Sequence, residues 1–262
     1  MTYRLLDSGS GRKLEEFGPV VVDRPSPYAI WEEQNRSLWK SADLYFTREG
    51  GWRGSKDSWK FCTQDLTFTL SPNDFGHIGL FPEHLSLWEA CYASRGARIL
   101  NLFGYTGALS VHLARKGASV THVDASKPAL IRAKENAEQN GITQIRWILE
   151  DALKFVKKEE RRGRKYEGII LDPPTFGRGA KGEVFQIEQH LFSLLRACSN
   201  LLSPDASFLF VSCHTPGFTQ LLLQQILRQI GRDPLWTKEL VLGEAPGNQI
   251  SSGIAAFWTN RI

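Results

Sequence analysis

The chain has 262 residues, 42% of them hydrophobic, enough to bury one sizeable core and a small appendage. No apolar run reaches the roughly 20 residues of a membrane-spanning helix, and Met1-Thr2-Tyr3-Arg4-Leu5-Leu6-Asp7 lacks a signal peptide's apolar stretch, so a cytoplasmic location is expected. The net charge of +4 is compatible with a polyanionic partner without requiring one, and Cys62, Cys91, Cys198 and Cys213 are too scattered for a Cys-x-x-Cys site and read as reduced thiols.

Residues 1–75 are expected to form a small β-rich region. Four of the eight tryptophans (Trp31, Trp39, Trp52, Trp59) fall here, with strand-like pieces at 18–23 and 65–71 between turn residues. The stretch Trp52-Arg53-Gly54-Ser55-Lys56-Asp57-Ser58-Trp59-Lys60 interleaves aromatics with cations. It reads either as a surface that stacks on bases and holds phosphates or as a tryptophan-rich small core with solvated lysines. His77 and His84 are too isolated to build a metal site, and a helix is expected from Leu85 to Ser94.

Residues 76–262 read as a second, catalytic domain. Strands are expected near 98–103, 119–123, 145–149, 167–171, 206–212, 235–242 and 254–261, and helices near 108–116, 128–140, 152–159, 184–202 and 218–230. Strand–helix alternation predicts an α/β fold, a mostly parallel sheet with helices on both faces. The last two strands have no helix between them and should form an antiparallel hairpin. A seven-stranded Rossmann-like sheet closed by such a hairpin is the methyltransferase architecture rather than the dinucleotide one.

The first βαβ unit carries the clearest ligand signal. Ile99-Leu100-Asn101-Leu102 ends in Phe103-Gly104-Tyr105-Thr106-Gly107, a helix-period segment follows, and Ser119-Val120-Thr121-His122-Val123 ends in Asp124. The glycines permit a sharp turn and close approach to a ligand. Asp124, roughly 20 residues past the turn, can accept hydrogen bonds from ribose hydroxyls. A dinucleotide's pyrophosphate usually needs three glycines. The bulky Phe103, Tyr105 and Thr106 suit a cofactor without phosphate, such as S-adenosylmethionine, over a nicotinamide dinucleotide. Ala125 and Ser126 follow Asp124 beside the same ligand. Asp151-Ala152 follows the next strand, where Asp151 can accept from the adenine amino group, cap the following helix, or do both.

The run from Lys154 to Lys165 is charge-dense with mixed signs and reads as a solvated helix end and loop. Leu171-Asp172-Pro173-Pro174-Thr175-Phe176 is the most specific signal: an acid at the carboxyl end of a buried strand, then two prolines that fix φ and hold Phe176 rigidly. Such a clamp can hold a planar base in line with a sulfonium methyl group. Cys213, at the end of Phe208-Leu209-Phe210-Val211-Ser212, is expected to face the same cleft. It reads either as a nucleophile toward carbon 6 of a cytosine or as a buried apolar residue.

Taken together, Asn101-Leu102-Phe103-Gly104-Tyr105-Thr106-Gly107, Asp124-Ala125-Ser126, Asp151-Ala152, Asp172-Pro173-Pro174-Thr175-Phe176 and Ser212-Cys213 resemble a family of class I S-adenosylmethionine-dependent methyltransferases that modify large-subunit ribosomal RNA. The likeness covers roughly residues 65 to 262. Gly76 to Trp88 resembles the family's lead-in to the catalytic domain, with Glu83-His84-Leu85 where aspartate-glutamine-arginine is usual. Residues 1–60 do not resemble the family's N-terminal RNA-binding module.

The resemblance implies that Phe103, Gly104, Tyr105, Thr106 and Gly107 contact the methionine end of S-adenosylmethionine, Asp124 with Ala125 and Ser126 the ribose, and Asp151 with Ala152 the adenine. Asp172 with Phe176 would hold the target base, and Asp172 and Pro173 would also border the cofactor. The cytosine-5 branch is matched at Ser212-Cys213, the guanine nitrogen-7 branch at Asp172-Pro173-Pro174-Thr175-Phe176, and both remain open. RNA, ribosomal above all, is the expected substrate. A small molecule or protein substrate, or a non-catalytic RNA-associated protein, are the alternatives.

Overall fold

Residues 3–25 fold into three short strands separated by the tight turns at Ser10-Gly11 and Gly18-Pro19. The computed structural model describes residues 3–91, 94–179, 182–204, 207–243 and 248–260. The chain divides into two compact units, Met1–Leu85 with Val241–Ser252, and Ser86–Leu240 with Gly253–Ile262.

In the first unit, β1 (Tyr3–Gly9), β2 (Arg12–Phe17) and β3 (Val20–Pro25) form an antiparallel meander. β4 (Leu44–Thr47) pairs parallel with β3, and β5 (Gly51–Gly54) pairs antiparallel with β4. β6 (Trp59–Thr63) and β7 (Leu66–Leu70) make a separate hairpin around Gln64 and Asp65, both at positive φ, which matches the twist of a tight two-residue turn. Leu14, Phe17, Val22, Phe61 and Phe68 are buried here.

The tryptophans belong to this packing. The Trp59 indole donates to the Phe17 carbonyl at 3.0 Å, and Trp52 donates to the Asn73 carbonyl at 2.7 Å while its ring packs on Phe46. Of the two readings of the Trp52–Lys60 stretch, the small core describes the tryptophans. The helix expected from Leu85 to Ser94 is not formed among the described residues. A 3-10 helix spans Pro82–Leu87, and bonds from Ala90 to Leu87 and from Cys91 to Trp88 continue the tight turns. The i, i+3 and i, i+4 spacings of Trp88 and Leu87 to Cys91 bury all three in these turns as well as an α-helix would.

In the second unit the strands and helices alternate as expected: β8 (Arg98–Leu102), α1 (Ala108–Arg115), β9 (Ser119–Asp124), α2 (Lys127–Gln139), β10 (Arg146–Leu149), α3 (Ala152–Arg161) and β11 (Gly168–Leu171). A short hairpin of β12 (Phe176–Arg178) and β13 (Val184–Gln186) intervenes, followed by α4 (Ile187–Leu201), β14 (Phe208–Cys213) and α5 (Gln220–Gln229). β15 (Trp236–Leu242) and β16 (Ile250–Thr259) complete a seven-stranded sheet in the order β10-β9-β8-β11-β14-β16-β15. β8 to β11 and β14 run parallel, and β16 is antiparallel to β14.

All residues of β11 and β14 are buried, as central strands covered on both faces require. A Cβ on Gly168 would stand 2.2 Å from the Phe208 ring, so glycine is what lets β11 and β14 pair this closely. Side-chain caps from Ser126, Asp151 and Thr219 start α2, α3 and α5. The helix expected at 184–202 begins only at Ile187, because Val184–Gln186 pairs with Phe176–Arg178. The Ile187 N–H then donates to the Thr175 carbonyl at 3.1 Å.

Candidate active site

The strand order reverses between β8 and β11, so the ligand crevice of such a sheet lies at their carboxyl ends. There β8 gives way to Phe103–Gly107, in which Phe103, Tyr105 and Gly107 have φ of 56°, 52° and 81°. For Phe103 and Tyr105 that conformation costs about 1–3 kcal/mol each, and it persists only where the surroundings impose it. Four hydrogen bonds do so. Gly104 N–H donates to the Val123 carbonyl at 3.1 Å, Gly107 N–H to Gly104 at 3.0 Å, and Tyr105 N–H to Asp124 Oδ2 at 2.8 Å. The Asn136 amide, from α2, donates to the Thr106 carbonyl at 3.0 Å.

The loop rests on a buried polar chain that the sequence reading missed. Asn101 donates to Ser110 Oγ at 2.9 Å, and Ser110 Oγ is 3.0 Å from His122 Nδ1. A Cβ on Gly104 would lie 2.3 Å from the His122 ring, so this glycine lets the loop lie directly on the imidazole. Burial pushes His122 down to about 3, against a hydrogen bond with the Tyr105 backbone that acts the other way, so the ring is neutral at physiological pH. The available signal was a pair of polar residues, Asn101 and His122, inside apolar strands.

Asp124 ends β9 and faces the same loop. Its Oδ2 takes the Tyr105 N–H and its Oδ1 takes the Ser126 N–H at 2.7 Å. Burial raises its carboxyl above the usual range, and these two donors only partly offset the effect. A carboxylate has about four acceptor positions, so further donors have places to bind. Ala125 and Ser126 follow, Ser126 as the α2 cap. Asp151 caps α3, accepting the Lys154 N–H at 2.9 Å, and Ala152 is buried in the core.

Asp172 stands just past β11. Ser212 Oγ donates to its Oδ1 at 2.7 Å, and His214 Nε2 lies 3.3 Å from the same oxygen. Thr175 and Thr215 share a hydroxyl hydrogen bond of 2.9 Å. Pro173 is buried, whereas the Phe176 ring is 49% exposed with the Arg178 guanidinium above it at 5.7 Å. The β12–β13 hairpin joins Asp172–Phe176 to the first loop, where Phe185 packs on Phe103 at 5.2 Å, and to α3, where Lys154 pairs with Glu183 at 2.5 Å. The structure therefore groups Phe103–Gly107, Asp124, Asp151 and Asp172–Phe176 along one edge of the sheet.

Cys213 is a correction. It was expected to face the cleft, but it is 1% exposed and packs with Leu209 and Val211 in the apolar core. Alternation along β14 puts Ser212, not Cys213, toward Asp172. Burial raises the Cys213 thiol, against hydrogen bonds from Thr215 that lower it, so the sulfur stays protonated at neutral pH.

Comparison with known proteins bears on this edge. The sequence profile of the S-adenosylmethionine-dependent methyltransferases matches residues 50–234. The chain belongs to that family. A crystal structure of the SAM-dependent methyltransferase from Agrobacterium tumefaciens is 37% identical and superposes with a TM-score of 0.94, over all of this chain and 91% of that one. SMU.776, solved complexed with SAH, is 20% identical with a TM-score of 0.78 over 98% of this chain and 74% of its own, and shares the fold.

Among curated proteins, ribosomal RNA large subunit methyltransferase K/L of Shewanella sp. (strain ANA-3) is 36% identical over 149 residues, 55% of this chain. The same protein of Shewanella loihica is 38% identical over 148 residues. The chain spans about a fifth of the length of these curated relatives. S-adenosylmethionine is the family's methyl donor, and the strained loop with its two glycines and the unsaturated Asp124 carboxylate fit it. No helix among the described residues is long and apolar enough to cross a membrane.

Proposed function

We propose that this methyltransferase acts on a base of RNA, ribosomal RNA in the first place, and that the acceptor is a ring nitrogen. When bound, S-adenosylmethionine supplies an electrophilic methyl group on a sulfonium. In this reading Phe103, Gly104, Tyr105, Thr106 and Gly107 cradle the methionine end. Asp124, flanked by Ala125 and Ser126, accepts from the ribose hydroxyls, and Asp151 beside Ala152 accepts from the adenine. Asp172 and Pro173 fix the acceptor base under the exposed Phe176 ring, and the Asp172 carboxylate stabilises the positive charge that the base gains. In this reading the catalytic domain is the larger unit, Ser86–Leu240 with Gly253–Ile262, in place of all of residues 76–262, and an RNA substrate implies a cytoplasmic location.

The observation that carries the reading is the pairing of a preset cofactor loop with an exposed aromatic beside a held carboxylate, Phe176 next to Asp172. The named activity of the K/L relatives points to RNA. The burial of Cys213 supports the nitrogen acceptor, because a thiol packed in the core is poorly placed to attack a base.

The test has two parts. Calorimetric titration of S-adenosylmethionine should show affinity falling at least tenfold in Asp124→Ala, and equal affinity would remove Asp124 from the cofactor site. Labelled methyl transfer to total RNA from a deletion strain should survive Cys213→Ala. Loss of label there would restore the covalent route. No label with the wild-type protein, alongside turnover of another acceptor, would reject RNA.

A further inference from the structure

The charge of this chain is unevenly placed. Residues 154–165 hold seven cations and two acids, net +5, while the whole chain carries +4, so the other 250 residues sum to −1. Ion pairs neutralise part of the run: Lys154 with Glu183, Lys158 with Glu150 and Arg162 with Glu159. Lys157, Arg161, Arg164 and Lys165 have no carboxylate partner among the described residues. The Lys165 ammonium donates to the Asn200 carbonyl at 2.6 Å and Arg161 to the Lys157 carbonyl at 3.3 Å, contacts that leave their charges uncompensated.

The α3 dipole accounts for Lys158 and Arg161, which lie in its last turn. Arg164 also lies at this helix end, where its N–H donates to the Glu159 carbonyl at 3.0 Å, but Arg98, from the start of β8, does not. These residues converge all the same. An open groove of about 520 Å³ is lined by Arg98, Arg162, Gly163, Arg164 and Lys165, four cations and a glycine. Arg98 is paired with Glu167 and Arg162 with Glu159, whereas Arg164 and Lys165 bring free charge to its wall.

The groove sits at the amino ends of β8 and β11, and Asp172 at the carboxyl end of β11. Four to five residues of strand separate the two levels by roughly 15 Å. The ten residues of α3 span about the same distance at 1.5 Å each. A nucleic-acid strand advances about 3.4 Å per nucleotide, so at least about four or five nucleotides are needed to bridge that gap.

We infer that this groove docks backbone phosphates of the RNA substrate at the end of the sheet opposite the base being methylated, at least about 15 Å away along the strands. The inference rests on the RNA reading proposed above. Phosphates fit better than an acidic protein surface, because the lining offers no apolar or aromatic anchor and protein interfaces are built around one. Arg164 and Lys165 would contribute to affinity and register and take no part in the transfer itself.

The test uses the whole protein, purified large-subunit ribosomal RNA and polyglutamate as an acidic control, with Arg164→Gln/Lys165→Gln against Arg164→Lys/Lys165→Arg. The neutral pair should bind RNA roughly tenfold more weakly, raise KM for RNA while leaving kcat unchanged, and flatten the slope of log affinity against log salt by about 1 to 2. The charge-conserving pair should keep the wild-type slope, and both should bind S-adenosylmethionine as the wild type does. Unchanged RNA affinity and slope in the neutral pair, with wild-type RNA methylation intact, overturns the groove and leaves the RNA reading standing. Wild-type protein that neither binds nor methylates RNA overturns both. Polyglutamate bound as tightly as RNA assigns the groove to an acidic protein and rejects the phosphate assignment.

Discussion

Glu15, in the N-terminal unit, is fully buried. It accepts from Tyr3 Oη and Arg24 Nε at 3.2 and 2.8 Å, with the Lys13 ammonium 3.3 Å away. Asp7, also buried there, accepts from the N–H groups of Ser8, Gln34 and Asn35 and from the Trp39 indole. Beneath the Phe103–Gly107 loop of the larger unit, by contrast, the buried polar groups are neutral: Asn101, Ser110 and His122. A sheet of strands four to seven residues long has little apolar volume, and saturated carboxylates fix its register and loops instead. The seven-stranded sheet has apolar volume to spare, and it places Asp124, Asp151 and Asp172 at the carboxyl ends of its strands.

The difference is sharpest if one buried charge is removed. Glu15→Gln strands Arg24 and Lys13 without a full counter-charge and should cost about 3–5 kcal/mol in urea unfolding. A loss below 1 kcal/mol would show that this cluster is better hydrated than its burial implies.

Acid should separate the units by their pH windows. Burial pushes His112 to about 4 and His122 to about 3, so the unfolded chain takes up protons near pH 6.5 that the folded one refuses. Stability present above pH 6.5 should fall as pH drops toward 4, by about 1.4 kcal/mol per unit for each histidine, and His122→Asn should remove one proton from that slope. For Asp7, burial works to raise the carboxyl, but its four donors together hold it below the ordinary 3.8. Its contribution is therefore complete above about pH 4 and lost only as pH falls through the lower folded value, a window in which Asp7→Asn should converge on the wild type.

Smaller effects belong to the site. Gly107 has φ of 81° and a Cβ there would stand 2.9 Å from Ala133 Cβ, so Gly107→Ala should cost about 1–3 kcal/mol and loosen S-adenosylmethionine by tenfold or more in the same titration. Asp151→Ala removes the α3 cap and should cost about 1 kcal/mol in thermal unfolding. A drop in cofactor affinity without that loss would make Asp151 a ligand contact and not a cap.

Sequence periodicity located β8 to β11 and α1 to α3 within a residue or two, because each has one clear period and a cap or glycine at its end. It failed where one spacing serves two structures. Leu87, Trp88 and Cys91 pack as readily from 3-10 turns as from a helix, and Val184 and Phe185 sit in a strand that a helical pattern absorbs. The loop and its acid were legible at Phe103–Gly107 and Asp124, since glycine spacing and strand ends are local properties. The support under them, His122 with Ser110 and Asn101, was not, because its partners meet only once β8 and β9 pair. Cys213 was misplaced by one step of β alternation, which a sequence without register leaves undetermined.

β16 lies inside the sheet, between β14 and β15, although it is made after both. During synthesis the edge of β14, whose six residues are all buried in the finished fold, waits for residues 250–259. At about 5–20 residues per second that wait lasts a few seconds, with an apolar strand edge open to any other chain nearby. Folding on the ribosome is therefore where a chaperone or crowding should matter most for this protein, and slowing translation after residue 213 should raise the aggregated fraction.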